Sequence, residues 1–206
     1  MARRVVCISR TLGAGGEEIA HDVAASLGFR LIDDEILALA AEKAGVSAEQ
    51  VAKAEHSQPL VARILESLAN APAMSEGGYV APTVTINYAV SYSHLIEHVI
   101  RETAEAGDVV IVAHGASHPL AGRADVLRVL ITASLDARVE RLAGDGGLGG
   151  AAARKAVEES DRERAKYLER FYKVRAEQPT QYDLTINTDT IAAPTAIAVV
   201  VAAARA

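Results

Sequence analysis

The sequence predicts an α/β fold, a three-layer parallel sheet flanked by helices, carrying a helical insert and a lid segment. Three observations point to it. Apolar runs recur at Val5-Val6-Cys7-Ile8 and 109–113, and at 126–132 with only Arg128 interrupting before Thr132, and runs of this length without alternation suit strands buried on both faces. Stretches with helical spacing separate them, so the crossovers are right-handed and the strands parallel. The first strand also runs straight into a glycine-rich turn that opens the first helix.

In chain order, the strand at Val5 is followed by apolar positions Ile19, Ala20, Val23, Ala24 and Leu27, with Gly28 ending the helix. A short strand over 29–32 follows, then a helix to about Lys43 capped by Asp33 and Asp34. Ser47 opens another helix, Pro59 interrupts, and 60–69 is again helical. The stretch 70–85 holds Pro72, Gly77, Gly78 and Pro82 and reads as loop. A long helix over 87–105 leads to the strand at Val109, and the strand at Val126 leads to a helix near Leu135. The glycine cluster 144–150, a charged helix over 151–171, a strand over 184–187 and a final helix over 191–204 complete the chain. A single domain spans 1–206, with the helical insert at about 45–85 and the lid at about 144–172.

Composition limits the function classes. Half of the 206 residues are apolar, enough for one sizeable core, and the net charge is −6. This acidic balance argues against a general nucleic-acid binder, which would need a basic face. Cys7 is the only cysteine and lies in a strand-like run, where a buried inert thiol is expected. No Cys/His cluster has zinc spacing; His94 and His98 lack a third ligand nearby. The C-terminal apolar run is too short to span a membrane, and no leader pattern is present, so a cytoplasmic protein is expected.

The turn Ser9-Arg10-Thr11-Leu12-Gly13-Ala14-Gly15-Gly16-Glu17-Glu18 carries the chemistry. A turn between a first strand and a first helix aims backbone N–H groups at one point, where the helix dipole adds positive potential. Glycine permits the backbone angles and the close approach of a phosphate. A tight turn with no ligand is the competing account. The usual phosphate-loop pattern, G-x-x-x-x-G-K-[ST], uses lysine on the β- and γ-phosphates and a hydroxyl on magnesium. Aligned on Gly13-Ala14-Gly15, this chain has Gly16 in the lysine's place, with Glu17 and Glu18 next. The backbone cradle is kept and both side-chain contributions are lost.

Ile8-Ser9-Arg10, Gly13-Ala14-Gly15-Gly16, Ile19-Ala20, Leu27-Gly28 and Ile32-Asp33-Asp34-Glu35-Ile36 together resemble the cytidylate kinase-like family, a divergent branch of the nucleoside monophosphate kinases. The likeness continues at 110–116, 129–138, Asp161 to Arg164, Tyr182-Asp183-Leu184 and Asn187-Thr188-Asp189. It implies the phosphate-loop kinase fold, ATP with Mg2+, and phosphoryl transfer to a nucleoside monophosphate or similar small acceptor. A nucleotide-binding regulatory or pseudo-kinase protein without transfer is the alternative, and a phosphate-loop-like fold serving only as an interaction scaffold is a third. The family also commonly lacks the lysine. Glu17 departs from its usual basic residue, and His114-Gly115-Ala116 stands where it tends to have G-R-G-A.

On this reading Gly13, Ala14, Gly15, Gly16, Glu17 and Glu18 form the donor site, with Arg10 as the local cation unless it is a surface arginine. Arg138, Asp161 and Arg164 complete the catalytic set, Asp161 orienting the lid arginines. Arg138 and its neighbour Arg141 could equally be a solvated helix face, and Asp161 with Arg164 an i, i+3 ion pair. Asp33, His114 and Arg123 are expected on the acceptor side, although Asp33 is also a helix cap and Arg123 could be solvated. The glycine cluster is read as a hinge or as an ordinary surface loop, and the 87–105 helix could serve as a homodimer interface.

Overall fold

A computed structural model describes residues 2–33, 35–44, 88–112, 115–146 and 149–206. It divides into two compact units, Met1–Asp33 with Ile100–Ala206 and, separately, Asp34–Val99. The first unit holds a five-stranded sheet in the order β2-β3-β1-β4-β5. The strands are β1 (Val5–Arg10), β2 (Arg30–Ile32), β3 (Val109–Ile111), β4 (Val126–Thr132) and β5 (Leu184–Asn187). Every pairing is parallel, with Val6 opposite Val110 on one side and Leu127 on the other.

The central strands β1, β3 and β4 are buried on both faces, which explains their largely apolar runs. Val6, Ile8, Val110, Leu127, Val129, Ile131 and Ile186 pack against Ile19, Ala20 and Val23 of α1 (Gly16–Leu27) and Ala196, Val200 and Ala204 of α6 (Ala193–Arg205). The alternate positions Val5, Cys7, Val109, Ile111 and Val126 are at most 2% exposed, so the pleat places apolar side chains in both layers. Complete burial pushes the Cys7 thiol up to about 12, which keeps it protonated and inert.

Helix boundaries follow local chemistry. Gly28 closes α1 in the left-handed conformation at φ 69°, its N–H bonding Ala24 O and Ala25 O. The last helix starts at Ala193 rather than 191, because Pro194 fits the first turn, where no N–H is needed. The charged helix α5 runs Gly150–Tyr172, and α4, Leu135–Gly146, absorbs the first residues of the glycine cluster into its final turn. The strand expected over 109–113 ends at Ile111, although Val112 N–H still bonds Ile32 O at 2.9 Å. In the second unit, α2 (Glu35–Ala44) buries Ile36, Ala40 and Ala41 on one face. Helix α3 (Tyr88–Ala106) begins there and ends in the first unit. The helices expected from Ser47 and over 60–69, with most of the 45–85 insert, lie outside the described residues. No described helix is long and apolar enough to cross a membrane.

The chain goes from β1 to β2 and β3 on one side of it and then crosses to β4 and β5 on the other, and this reversal opens a crevice beyond the C-terminal end of β1. In open α/β sheets this is where ligands bind.

Candidate functional site

The glycine turn occupies that crevice. Arg10 ends β1, and Thr11 N–H bonds Ile131 O at 3.2 Å, so the turn starts as an extension of the central ladder. Gly13 at φ 79° and Gly15 at φ 74° adopt a conformation that side chains resist. Gly15 caps α1 with no side chain, leaving the first-turn N–H groups open to a ligand. Backbone bonding then divides by direction. Ala14 N–H is spent on Thr11 O at 3.1 Å. The N–H groups of Gly13, Gly15 and Gly16 have no partner among the described residues. The cradle expected over Gly13, Ala14, Gly15 and Gly16 therefore lacks the Ala14 N–H, which serves the turn itself.

The carbonyls are all engaged. Leu12 O accepts from Arg138 Nη1 at 3.4 Å, Gly13 O from Arg141 Nη1 at 3.2 Å, and Ala14 O from Thr188 Oγ1 at 3.0 Å. Gly15 O accepts from Ile19 N–H at 3.2 Å within the helix.

A cleft of about 740 Å³ opens over the turn, lined by residues 10–19 and by Arg141, Leu142, Ser160, Arg164, Thr188 and the Ile191 to Ala193 segment. Thr11 and Arg164 also line a smaller cavity of about 170 Å³ bounded by Asp161, Leu168 and Glu177. Thr11 Oγ1 is buried there without a partner among the described residues. Buried hydroxyls are rarely left so.

Gly16 explains the missing lysine. A Cβ at Gly16 would lie 2.6 Å from Arg10 Cβ and within 3.4 Å of its Cγ. The Arg10 side chain thus crosses the space where a lysine stem at position 16 would begin, and the two cations exclude each other. Arg10 reaches Glu17 Oε1 through Nη2 at 2.6 Å and Nε at 3.1 Å. Glu17 is 72% exposed and Arg10 27%, so the pair is readily exchanged for a better anion.

Arg138 and Arg164 each have a defined partner. Arg138, only 7% exposed, makes a bidentate pair with Asp161 at 2.8 and 2.7 Å. Arg164 makes one with Glu177 at 2.7 Å for both bonds, and Tyr182 OH donates to the same carboxylate. The i, i+3 pair considered for Asp161 and Arg164 is therefore not formed, since tertiary partners with better fork geometry win both. Burial opposes ionisation of Glu177, but the Arg164 hydrogen bonds and charge hold its carboxyl below the usual range. Burial and the Glu177 contact push Tyr182 up to about 12.

Of the expected residues, the structure brings together Arg10, Gly13 to Gly16, Glu17, Glu18 and Arg164 around the cleft. Arg138 and Asp161 stand behind the turn, where the Arg138 carbonyl would be 2.8 Å from a Cβ at Gly13. Asp33 directly follows β2, at the same C-terminal sheet edge. Arg123 is not brought there. It sits three residues before β4 and forks onto Asp125 at 3.0 and 2.6 Å, at the opposite end of the strands. His114 lies outside the described residues. Reasoning from sequence missed Thr188 and Glu177. Thr188 had a signal, since Asn187-Thr188-Asp189 immediately follows a strand whose end faces the turn; Glu177 had none.

The chain matches the model of the cytidylate kinase-like family over residues 5–190. A cytidylate kinase from Methanoculleus marisnigri is 29% identical over 100 residues, covering 48% of this chain and 55% of that protein. The chain thus spans about half the length of that relative. An uncharacterized protein from Eubacterium ventriosum shares the fold at a TM-score of 0.67 and 16% identity, with 98% of both chains covered. TT1252 from Thermus thermophilus reaches a TM-score of 0.50 at 16% identity, over 98% of this chain and 96% of that one. The family match takes in the glycine turn, the Arg138–Asp161 and Arg164 helices and Thr188, and the chain belongs to the cytidylate kinase-like family.

Proposed function

We propose that the protein transfers the γ-phosphoryl group of ATP to a nucleoside monophosphate or a similar small acceptor. One observation carries this reading: unpartnered N–H groups of Gly13, Gly15 and Gly16 stand at a helix N-terminus, with Arg10 occupying the space of the absent lysine. Phosphoryl transfer asks for positioning and charge neutralisation more than covalent chemistry. The three N–H groups bind and align the donor phosphates. Arg10 exchanges Glu17 for a phosphate oxygen, and Arg164, on the cleft wall, neutralises the group in flight. As the acceptor oxygen bonds to phosphorus, the bond to the donor's bridging oxygen breaks and ADP leaves. Asp33, at the C-terminal edge, faces the acceptor in this scheme, as does the His114 segment. Arg123 takes no part.

Magnesium suits the hard carboxylate oxygens of Glu17 and Glu18 at the mouth, held mainly by the donor's own phosphates. When bound, it would neutralise charge on the transferring group. The test is a coupled assay of ADP release over a panel of nucleoside monophosphates. Turnover of at least one above the background ATPase rate is expected; folded protein turning over none would contradict the proposal.

A second reading, nucleotide binding without transfer, is favoured by the pairing of Arg10, Arg138 and Arg164 with carboxylates. ATP binding by calorimetry with no product from any acceptor would select it.

A further inference from the structure

We propose that Thr188, with Arg141, is a positioning residue that sets the phosphate cradle by holding carbonyls of the glycine turn away from the ligand. The inference rests on the turn being a phosphate site and extends it to residues outside the turn. A peptide unit has two ends, and fixing its carbonyl fixes where the next N–H points. Thr188 is 8% exposed and follows β5, whose last residue Asn187 pairs with Thr132. Its own N–H bonds Thr132 O at 2.8 Å, so its backbone is locked to the sheet. From there Oγ1 donates to Ala14 O at 3.0 Å, while Thr132 O lies further off at 3.3 Å.

Arg141 completes the brace. Its Nη1 donates to Thr188 Oγ1 at 3.0 Å and to Gly13 O at 3.2 Å, and its Nη2 to Thr188 O at 2.5 Å. The hydroxyl oxygen accepts a hydrogen bond from Arg141, so its single hydrogen goes to a carbonyl, and Ala14 O is the nearer of the two. The amides that follow these carbonyls are Ala14 N–H, held by Thr11 O, and Gly15 N–H, which has no partner among the described residues and belongs to a residue lining the cleft. Glycine at 13 and 15 removes the steric guidance a side chain would give, so the turn takes its orientation from outside. Preorganised dipoles of this kind lower the cost of binding and reacting.

The test uses Thr188→Val, which keeps shape and removes the hydroxyl, beside Thr188→Ser, which restores it. Inorganic tripolyphosphate and ATP are titrated into the full chain by calorimetry, and amide hydrogen exchange at 14–16 is followed without ligand. The expected result is affinity for both probes lowered roughly tenfold or more in Thr188→Val, and faster exchange at Ala14, whose N–H the braced turn holds on Thr11 O, with Thr188→Ser within about threefold of wild type. Wild-type affinity and unchanged exchange in Thr188→Val would overturn the brace alone, as would equal losses in both variants. Failure of the unmutated chain to bind either probe would overturn the phosphate site and the brace with it. Should Thr188→Val be unstable, Arg141→Met carries the same expectation.

Discussion

At position 16 a glycine and at position 10 an arginine form one unit, because the arginine stem crosses the space a lysine would need. Gly16→Lys should therefore destabilise the fold by about 1–3 kcal/mol through overpacking. Adding Arg10→Gly should recover most of that loss, a coupling that urea denaturation of the two single variants and the double variant would measure. Independent, additive losses would refute the unit. A second residue-scale expectation concerns pH. His118 stacks on Tyr172 at 5.1 Å between ring centroids, and its Nε2 is buried without a partner among the described residues. Burial lowers its pKa from the ordinary histidine value of 6.5, so the unfolded chain binds the proton more readily. Its contribution is present above about pH 6.5 and lost as the pH falls below. Glu177, also depressed, loses its contribution at lower pH still, below the ordinary glutamate value of 4.5. The midpoint of thermal unfolding should thus fall between pH 7.5 and 5.5, and His118→Phe should flatten that fall. An unchanged slope in the variant would contradict it.

At the scale of elements, α4 and α5 are joined to each other and to the turn through one fork. Arg138 holds Asp161 on α5 and Leu12 O on the turn together. Asp161→Ala leaves a mostly buried guanidinium unpaired and should cost about 1–3 kcal/mol, discounted because Asp161 is 39% exposed. Glu159→Gln, which breaks the exposed Arg162 pair on the same helix, should leave the denaturation midpoint unmoved. Equal effects would mean that the helix, and not the fork, is what the first substitution damages.

Elements of this kind were legible where their signal is local. Buried strands, the Gly28 stop and the charged helix follow from spacing within a few residues. The partners of the arginines were not legible, since Arg138 finds Asp161 across 23 positions and Arg164 finds Glu177 across 13. The sequence offers Asp161 and Arg164 to each other one turn apart, and only the tertiary fold supplies the better forks. Arg123 was misplaced for a topological reason. A parallel strand starting at Val126 puts the residues just before it at the edge opposite the glycine turn.

For the whole molecule, the proposed function requires the turn to hold a triphosphate with Arg10 in the lysine's role. The sheet order places that turn at the end of the central strand, and parallel pairing gathers the ends of β4 and β5 around it. Calorimetric titration of the full chain with ATP and magnesium, compared between wild type and Arg10→Met, tests this most directly. The expected result is saturable binding at one site per chain, weakened tenfold or more in Arg10→Met. No binding by the wild type, or equal affinity in the variant, would contradict the claim.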